Sequence, residues 1–277
     1  MKKLVIVVLS LVVTGWFIWM NRVNLLVWAL PKVQAVVNPV APNRPIEWQA
    51  GPATAKAPPD QRPPNIILIL ADDMGFNDVS LYNGGAADGS VQTPHIDALA
   101  QQGASFTNGY AANAVCAPSR ATIMTGRYST RFGFEFTPFP KVGATIFQWL
   151  ADTNPTPLPP YIDHDAVEAL PPMTDLGLPS SEVTIAEALK ARGYYTAHIG
   201  KWHLGVSDGM HPLDQGFDDS LNLKGLLYDK EDSPNVVNAK VNHSIDKMVW
   251  ASGGYSASFN QSAIFEPEGY LTDYYTR

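Results

Sequence analysis

The chain has 277 residues, 45% of them hydrophobic, and a formal net charge of −7. This composition is typical of a globular protein with a sizeable core and excludes a disordered chain. The acidic balance argues against nucleic acid as a partner, because neutralising phosphates requires a basic face. An anionic substrate would therefore need a local cluster of positive side chains.

The N-terminus has the character of an export signal. Lys2 and Lys3 precede an uncharged apolar run from Leu4 to Met20, which is just long enough to cross a bilayer. The lysines favour a cytoplasmic N-terminus and an exported remainder, so the protein is expected to be periplasmic or anchored with its folded part outside the cytoplasm. We expect residues 1–30 to be a signal peptide or membrane anchor. A retained anchor is preferred, and cleavage after Ala35 is the alternative.

A proline-rich stretch separates this segment from the folded part. Residues 31–64 have no hydrophobic period and are expected to form an extended linker. The folded domain is then expected over residues 65–277.

The first part of this domain alternates strand and helix signals. The apolar run NIILILA (residues 65–71) predicts a central strand buried on both faces. Residues 93–103 predict a helix with Thr93 as its N-cap. ASFTNGYA (residues 104–111) then predicts a short strand.

The pattern continues to the middle of the chain. A helix is expected from Pro118 to about Gly126, and a second helix follows Thr184, which has capping-box spacing to Glu187. YYTAHI (residues 194–199) predicts a strand. This alternation predicts an α/β fold with a mainly parallel central sheet and helices on both faces.

Two further segments are loops in this interpretation. The proline-rich segment from Thr137 to Pro179 is expected to be a long irregular surface excursion. The loop GKWHLG follows the predicted strand at residues 194–199. Ligands of such sheets bind beyond the carboxyl ends of strands, where both this loop and the DD pair after residue 71 are expected.

The DD pair consists of Asp72 and Asp73. Two adjacent carboxylates near a core need a balancing positive charge, which a hard divalent cation such as Ca²⁺ or Mg²⁺ would supply. A solvated turn is the alternative. Asp78 is expected to be a turn or capping residue.

The single cysteine, Cys116, cannot close an intramolecular disulfide. It is either a small buried side chain or a chemically used one. It lies next to a predicted helix N-terminus, where negative charge is stabilised, and Arg120 lies one turn further on. The C-x₃-R spacing differs from the C-x₅-R loop of cysteine phosphatases, and there is no G-x-S-x-G motif, so a plain thiol nucleophile is not favoured.

Lys201 and His203 flank Trp202 in the loop GKWHLG. In an extended segment they would point to the same side, where an ammonium and an imidazole suit an anion site with an acid or base group. A core histidine is the alternative for His203. The remaining histidines have no assigned function: His95 and His198 are expected to be structural, and His164, His211 and His243 to lie in loops.

Three segments together resemble the sulfatase family, over Asn65 to about Tyr270. They are NIILILADDMGFND, TPHIDALAQQGASFTNGYAANAVCAPSRATIMTGRY and GYYTAHIGKWHLG, in the family's order. CAPSR matches its C-x-P-S-R signature. The resemblance implies an alkaline-phosphatase-like fold, a sulfate ester substrate and a maturation enzyme that oxidises Cys116 to formylglycine. In the family, one hydroxyl of the hydrated aldehyde attacks sulfur, and a base then releases sulfate.

The resemblance also implies a role for each site residue. Asp72 and Asp73 would bind Ca²⁺, in preference to Mg²⁺, together with the modified Cys116. Arg120 would stabilise the formylglycine and Lys201 would bind the sulfate. His203 would contact the substrate and act as the base.

Sulfatases complete the site with an Asp–Asn pair, a further histidine and a further lysine beyond a stretch resembling GYLTDYYTR, where this chain stops. The chain is therefore expected to be the N-terminal part of a sulfatase catalytic domain, with uncertain activity alone. Two alternatives stay open: a phosphodiester or phosphonate monoester hydrolase of the same superfamily, and a non-catalytic membrane-tethered binding module.

Overall fold

The computed structural model of the protein describes residues 2–48, 57–86, 88–153, 157–158, 161–225 and 254–277. The α-helices are α1 (Lys2–Met20), α2 (Arg22–Val37), α3 (Ser80–Asn83), α4 (Pro94–Gln102), α5 (Cys116–Thr125), α6 (Lys141–Thr153), α7 (His164–Ala169), α8 (Ile185–Lys190) and α9 (Leu271–Thr276). The strands are β1 (Ala197–Gly200), β2 (Asp219–Leu223) and β3 (Ala257–Phe259). Short 3₁₀ turns cover Pro59–Gln61, Phe76–Asp78, Ser129–Phe132 and Met173–Asp175.

The described strands form one small mixed sheet in the order β1-β2-β3. β1 and β2 are parallel, with Ala197 opposite Asp219, whereas β2 and β3 are antiparallel, with Leu221 opposite Phe259. Helices and sheet together confirm the predicted α/β class.

The main hydrophobic cluster lies between α5 and the loop after β1. It consists of Ala117, Ala121, Phe134, Leu178, Trp202 and Leu204, all buried. A second cluster of Leu221, Ala257 and Phe265 packs on β2 and β3. The first cluster ties the predicted cysteine helix to the predicted GKWHLG loop, and so brings two distant sequence motifs together.

The capping signals in the sequence are confirmed at α8. The Thr184 hydroxyl accepts from the Glu187 backbone N–H at 3.1 Å, and the Thr184 N–H donates to the Glu187 carboxylate at 2.7 Å. The turn before β2 approaches this helix closely at Gly216, which has φ +98°. A Cβ there would lie 2.4 Å from the Glu187 nitrogen, so only glycine fits.

Other local predictions hold in part. α4 matches the predicted helix, and α5 begins at Cys116, two residues before the expected Pro118. β1 overlaps the end of the predicted strand at residues 194–199.

The strand predicted at residues 65–71 is wrong for this structure. The segment has no regular secondary structure, and Ile67 and Ile69 are 84% and 80% exposed. Its ends lie against β1: the Tyr194 hydroxyl donates to the Pro64 carbonyl at 3.0 Å, and Asp72 pairs with Lys201. None of the described strands forms ladder hydrogen bonds with this segment, so it is not part of the sheet.

Three further predictions need correction. Residues 104–111 form a turn, not a strand, with Phe106 and Tyr110 more than four-fifths exposed. The segment expected to be irregular between Thr137 and Pro179 contains α6 and α7, because its prolines flank these helices instead of interrupting them. The linker expected from residue 31 begins later, since α2 continues through Pro31 to Val37.

Among the described residues, one helix is long and apolar enough to cross a membrane. An 18-residue window of α1, Lys3–Met20, has a mean hydropathy of 2.1 and no buried residue. A signal sequence near an N-terminus has the same character, so this finding fits both a signal and an anchor.

Candidate active site

The helix α5 presents Cys116 at its first residue. Val115 precedes it in extended conformation, and its carbonyl accepts from the Ser119 N–H at 3.2 Å. The Ser119 hydroxyl donates to the Asn113 carbonyl at 2.6 Å, which fixes the chain that enters the helix. Ala117 and Ala121 are buried in the core, so Cys116 and Arg120, four residues apart, share the remaining face. The Cys116 thiol is free and partly buried.

Trp202 holds the loop that follows β1. Its side chain is 3% exposed, and its indole N–H donates to the Met210 carbonyl at 2.8 Å. Its ring meets His198 and Phe217 edge to face. With Trp202 fixed in the core, the neighbouring Lys201 and His203 stay at the surface of the cluster, where both are partly buried.

The backbone of this loop differs from the sequence expectation. An extended segment would place Lys201 and His203 on the same side, but His203 has φ +61°, in the left-handed region. Asp73 also has a positive φ, +54°. A non-glycine residue in this conformation stores strain and is common at functional sites. Two of the predicted site residues therefore lie on strained backbone.

Asp72 links the three sequence motifs. Its Oδ1 accepts from Arg120 Nη2 at 2.8 Å and its Oδ2 accepts from Lys201 Nζ at 2.9 Å. Arg120 also donates through Nη1 to the Lys201 carbonyl at 2.7 Å. All three side chains are about one-fifth exposed or less. Burial favours a raised pKa of Asp72, but hydrogen bonds from Lys201 and Arg120 outweigh it, and the pKa lies below its usual value.

Three oxygen or sulfur atoms converge beside this network. One ligand atom each from Asp72, Asp73 and Cys116 lies within 4.8 Å of the others, and this is a group that could hold a metal ion. Two carboxylates suit a hard cation such as Ca²⁺ or Mg²⁺, and an oxygen in place of the thiol sulfur would complete an all-oxygen set. The donor set therefore fits a hard divalent cation, and it becomes a better fit once Cys116 is oxidised.

His203 lies in the field of these charges. Burial lowers the pKa of His203, and the positive charges of Lys201 and Arg120 lower it further, against the opposing effect of Asp72. The imidazole is therefore neutral at pH 7, and its buried Nδ1 has no hydrogen-bond partner among the described residues. A neutral imidazole beside two cations can accept a proton.

The other titratable residues lie away from this cluster. Asp78 accepts from the Gly75 N–H at 2.6 Å, which confirms its predicted turn role. His95 is exposed on α4, His198 is half-buried in β1, and His164 begins α7, contrary to the predicted loop. His211 lies in a turn, and His243 is outside the described residues.

The structure thus brings together all six predicted site residues, which are Asp72, Asp73, Cys116, Arg120, Lys201 and His203. Two features were not predicted from the sequence: Trp202 as the anchor of the loop, and Asp72 as the ion-pair partner of both cations. The sequence signal for this pairing was the presence of opposite charges at the carboxyl ends of two predicted strands, residues 65–71 and 194–199. The roles of these residues in catalysis stay predictions.

Comparison with known proteins identifies the family of this chain. Residues 64–261 match the family model for sulfatases. The chain belongs to the sulfatase family. All six residues of the cluster lie inside the matched region.

Individual sulfatases align over the same part of the chain. Steryl-sulfatase of Mus musculus is 39% identical over 175 residues, which are 61% of this chain and 23% of that protein. N-acetylgalactosamine-6-sulfatase of Homo sapiens is 37% identical over 178 residues, 63% of this chain and 29% of that protein. The solved structure of Ps i-CgsB aligns with 76% of this chain and 39% of its own, at 28% identity and a TM-score of 0.49. The chain thus spans about a quarter of the length of these two curated relatives.

Proposed function

We propose that the chain carries part of the active site of a sulfuric ester hydrolase, with a formylglycine made from Cys116 and a bound Ca²⁺ ion. The observation that supports it best is the convergence of Asp72, Arg120 and Lys201, from three distant motifs, beside Cys116. The family match supports the same chemistry.

Asp72, Asp73 and the modified Cys116 would hold the cation. When bound, Ca²⁺ would polarise the sulfate oxygens and favour ionisation of the neighbouring hydroxyl. Ca²⁺ is preferred to Mg²⁺ because it accepts irregular oxygen sets, whereas Mg²⁺ requires near-ideal octahedral geometry.

Arg120 and Lys201 supply the positive charge for the substrate. Both ammonium and guanidinium groups donate hydrogen bonds to anionic oxygens, and partial burial strengthens such contacts. Lys201 would bind the sulfate group, and Arg120 would orient the modified Cys116 one helical turn away. His203, neutral at pH 7, would contact the substrate and accept a proton at an imidazole nitrogen. Formylglycine itself would supply the nucleophilic hydroxyl.

The first test is the chemical state of Cys116. The chain is co-expressed with a formylglycine-generating maturation enzyme, and the peptide that contains Cys116 is analysed by mass spectrometry. We expect loss of sulfur and gain of an aldehyde that reacts with a hydrazide probe. The Cys116→Ala variant is the control and must give no probe reaction. An intact thiol in every sample would contradict the proposal.

The second test separates sulfate esters from related substrates. The matured chain is assayed side by side with an aryl sulfate, an aryl phosphonate monoester and a phosphodiester. Preference for the sulfate ester supports a sulfatase, and preference for the phosphorus esters supports the related hydrolase instead. Absence of turnover together with absence of Ca²⁺ binding would support a non-catalytic module.

The proposed organisation keeps the sequence prediction except at the start of the linker. Residues 1–30 are a signal peptide or anchor, the linker follows the end of α2 at Val37 and continues to residue 64, and residues 65–277 are the N-terminal part of the catalytic domain. The protein would be exported and, with the anchor retained, attached to the membrane with the catalytic part outside the cytoplasm. The helix α1 supports this arrangement by its length and apolar composition.

A further inference from the structure

The helix α2 has an exposed stripe that the sulfatase site does not use. Leu25, Trp28, Lys32 and Val36 follow helical spacing and so share one face. Leu25, Trp28 and Val36 are 37%, 64% and 82% exposed, and Lys32 is exposed beside them. An outward row of large apolar side chains is unusual on a helix surrounded by water.

The opposite face of α2 is directed towards the rest of the protein. Val23, Leu26 and Leu30 are half-buried there, and α2 contacts α6. Arg22 at the start of α2 lies 5.3 Å from the ring centre of Trp149 on α6. Over residues 23–30 the two faces therefore differ in environment, whereas Val33 and Val37, further along the opposite face, are 56% and 67% exposed.

Charge distribution indicates what the stripe contacts. The first 46 residues contain five basic and no acidic residues, whereas the rest of the chain contains 14 basic and 26 acidic residues. Lys32 Nζ lies 3.7 Å from the ring centre of Trp28, and the Arg22 guanidinium lies 4.5 Å from that of Trp19. Paired aromatic and basic side chains are typical of a helix at the boundary between headgroups and acyl chains.

Position and length restrict the geometry further. Only Asn21 separates α2 from α1, so α2 begins where the proposed anchor leaves the bilayer. With 16 residues, α2 is about 24 Å long, which is shorter than the ~30 Å hydrocarbon core. It is therefore suited to lie along the membrane and not to cross it.

We propose that α2 lies in the membrane interface, with the stripe directed to the acyl chains and with Lys32 bound to an anionic phospholipid headgroup. This rests on the proposal that α1 is retained as an anchor. It adds that the catalytic part is held against the bilayer through α6, at a fixed height and orientation. The long aliphatic stem of Lys32 can lie among the acyl chains while its ammonium group reaches a phospholipid headgroup.

Depth measurements along α2 test this arrangement. Leu25→Cys, Trp28→Cys and Val36→Cys report on the stripe, and Val23→Cys and Leu26→Cys are matched controls on the opposite face. Each is made in the full chain with Cys116→Ser, so that a nitroxide label attaches at one site. The chain is reconstituted in vesicles of phosphatidylcholine with phosphatidylglycerol. Collision with oxygen reports exposure to acyl chains, and collision with a water-soluble nickel complex reports exposure to water.

We expect high oxygen and low nickel collision rates at the stripe, repeating with the 3.6-residue period of a helix. High collision rates with the nickel complex at all three stripe positions would overturn the proposal. Removing the charge of the stripe with Lys32→Gln should reduce the depth at Val36→Cys to its value in pure phosphatidylcholine. Equal depths for the parent chain in both vesicle types would overturn the headgroup contact.

A separate measurement distinguishes the two proposals. The mass of the chain extracted from membranes shows whether residues 1–37 are present. A chain that begins after Ala35 would overturn the retained anchor, and this inference with it. An intact chain whose stripe is water-exposed would overturn only the interfacial position of α2.

Discussion

Asp72 is the residue on which the geometry of the cluster depends. It is paired through one oxygen with Arg120 and through the other with Lys201, two side chains that would otherwise place like charges together. The same oxygens are the proposed cation ligands. The Asp72 carboxylate would therefore bind Ca²⁺ and also pair with Arg120 and Lys201. Replacing Asp72 tests the contribution of these contacts to stability.

Asp72→Asn is expected to lower the free energy of unfolding by about 2 kcal/mol at pH 7, because it leaves two partly buried cations without a partner. Since the native pKa of Asp72 is lowered, its contribution is present above its ordinary pKa near ~3.9 and is lost as pH falls through the native value. Urea unfolding between pH 7 and pH 3 measures both effects. Asp73→Asn is the matched control, because Asp73 is exposed and asparagine tolerates its positive φ. An equal loss in both variants would contradict the role of the ion pairs.

His198 gives a separate pH effect. Burial lowers the pKa of His198 to about 4, so the folded state keeps this imidazole neutral while the unfolded state binds a proton below its usual pKa of about 6.5. Stability is therefore lost as pH falls from about 6.5 to about 4, by roughly 3 kcal/mol in total.

His198→Phe is expected to remove this loss, because phenylalanine keeps the edge-to-face contacts with Trp202 and Phe217 but does not titrate. The free energy of unfolding is measured between pH 7 and pH 4. His95→Phe on the exposed face of α4 should leave the slope unchanged. A slope that persists in His198→Phe would show that another group titrates in this range.

For single residues, the sequence predicted the chemical type of the site better than it predicted which side chains form ion pairs. Residue types at Asp72, Cys116 and Lys201 indicated a site through their chemistry, although a solvated turn and a small buried side chain were open alternatives for Asp72 and Cys116. The pairing of Asp72 with two cations depends on how β1 and residues 65–71 lie side by side, which no local pattern encodes. The left-handed backbone of His203 was missed for the same reason, since it results from the fixed position of Trp202.

Elements with complete local signals were predicted best. Thr184 and Glu187 form the capping box of α8, and Gly103 follows the last residue of α4. Where the outcome depended on partners far along the chain, prediction failed: residues 65–71 have strong strand character but no ladder partner among the described strands. β2 and β3 were not predicted, because their polar residues hide the apolar alternation.

The contact between the turn before β2 and α8 allows a test at this level. Gly216→Ala places a Cβ 2.4 Å from the Glu187 nitrogen, whereas Gly209→Ala, at a similar positive φ of +81°, meets only Ser180 at 3.8 Å. Both variants lose the conformational freedom of glycine, so their difference isolates the clash. We expect Gly216→Ala to be less stable than Gly209→Ala by about 1–3 kcal/mol. Equal melting temperatures would show that the turn moves away from α8 without strain.

For the molecule as a whole, the proposed cation site links binding to stability. Ca²⁺ that binds only the folded chain raises its stability by about 2.7 kcal/mol at one hundred times the dissociation constant. We expect the melting temperature to rise with Ca²⁺ and more weakly with Mg²⁺. Asp73→Asn should abolish the rise, and Asp175→Asn, on a distant exposed turn, should keep it. A melting temperature of the parent chain that does not change with Ca²⁺ would contradict the cation site.

The exposed apolar segment at residues 65–71 affects the tendency of this protein to associate at high concentration. It exposes Ile66, Ile67, Leu68, Ile69 and Leu70 over 43–84% of their surfaces, with no charge until Asp72. Peptide groups that join none of the described strands, beside uncharged apolar side chains, form a template on which identical chains can stack. We therefore expect chains in which this segment is uncovered to associate at high concentration, and a cover over the segment to prevent this association.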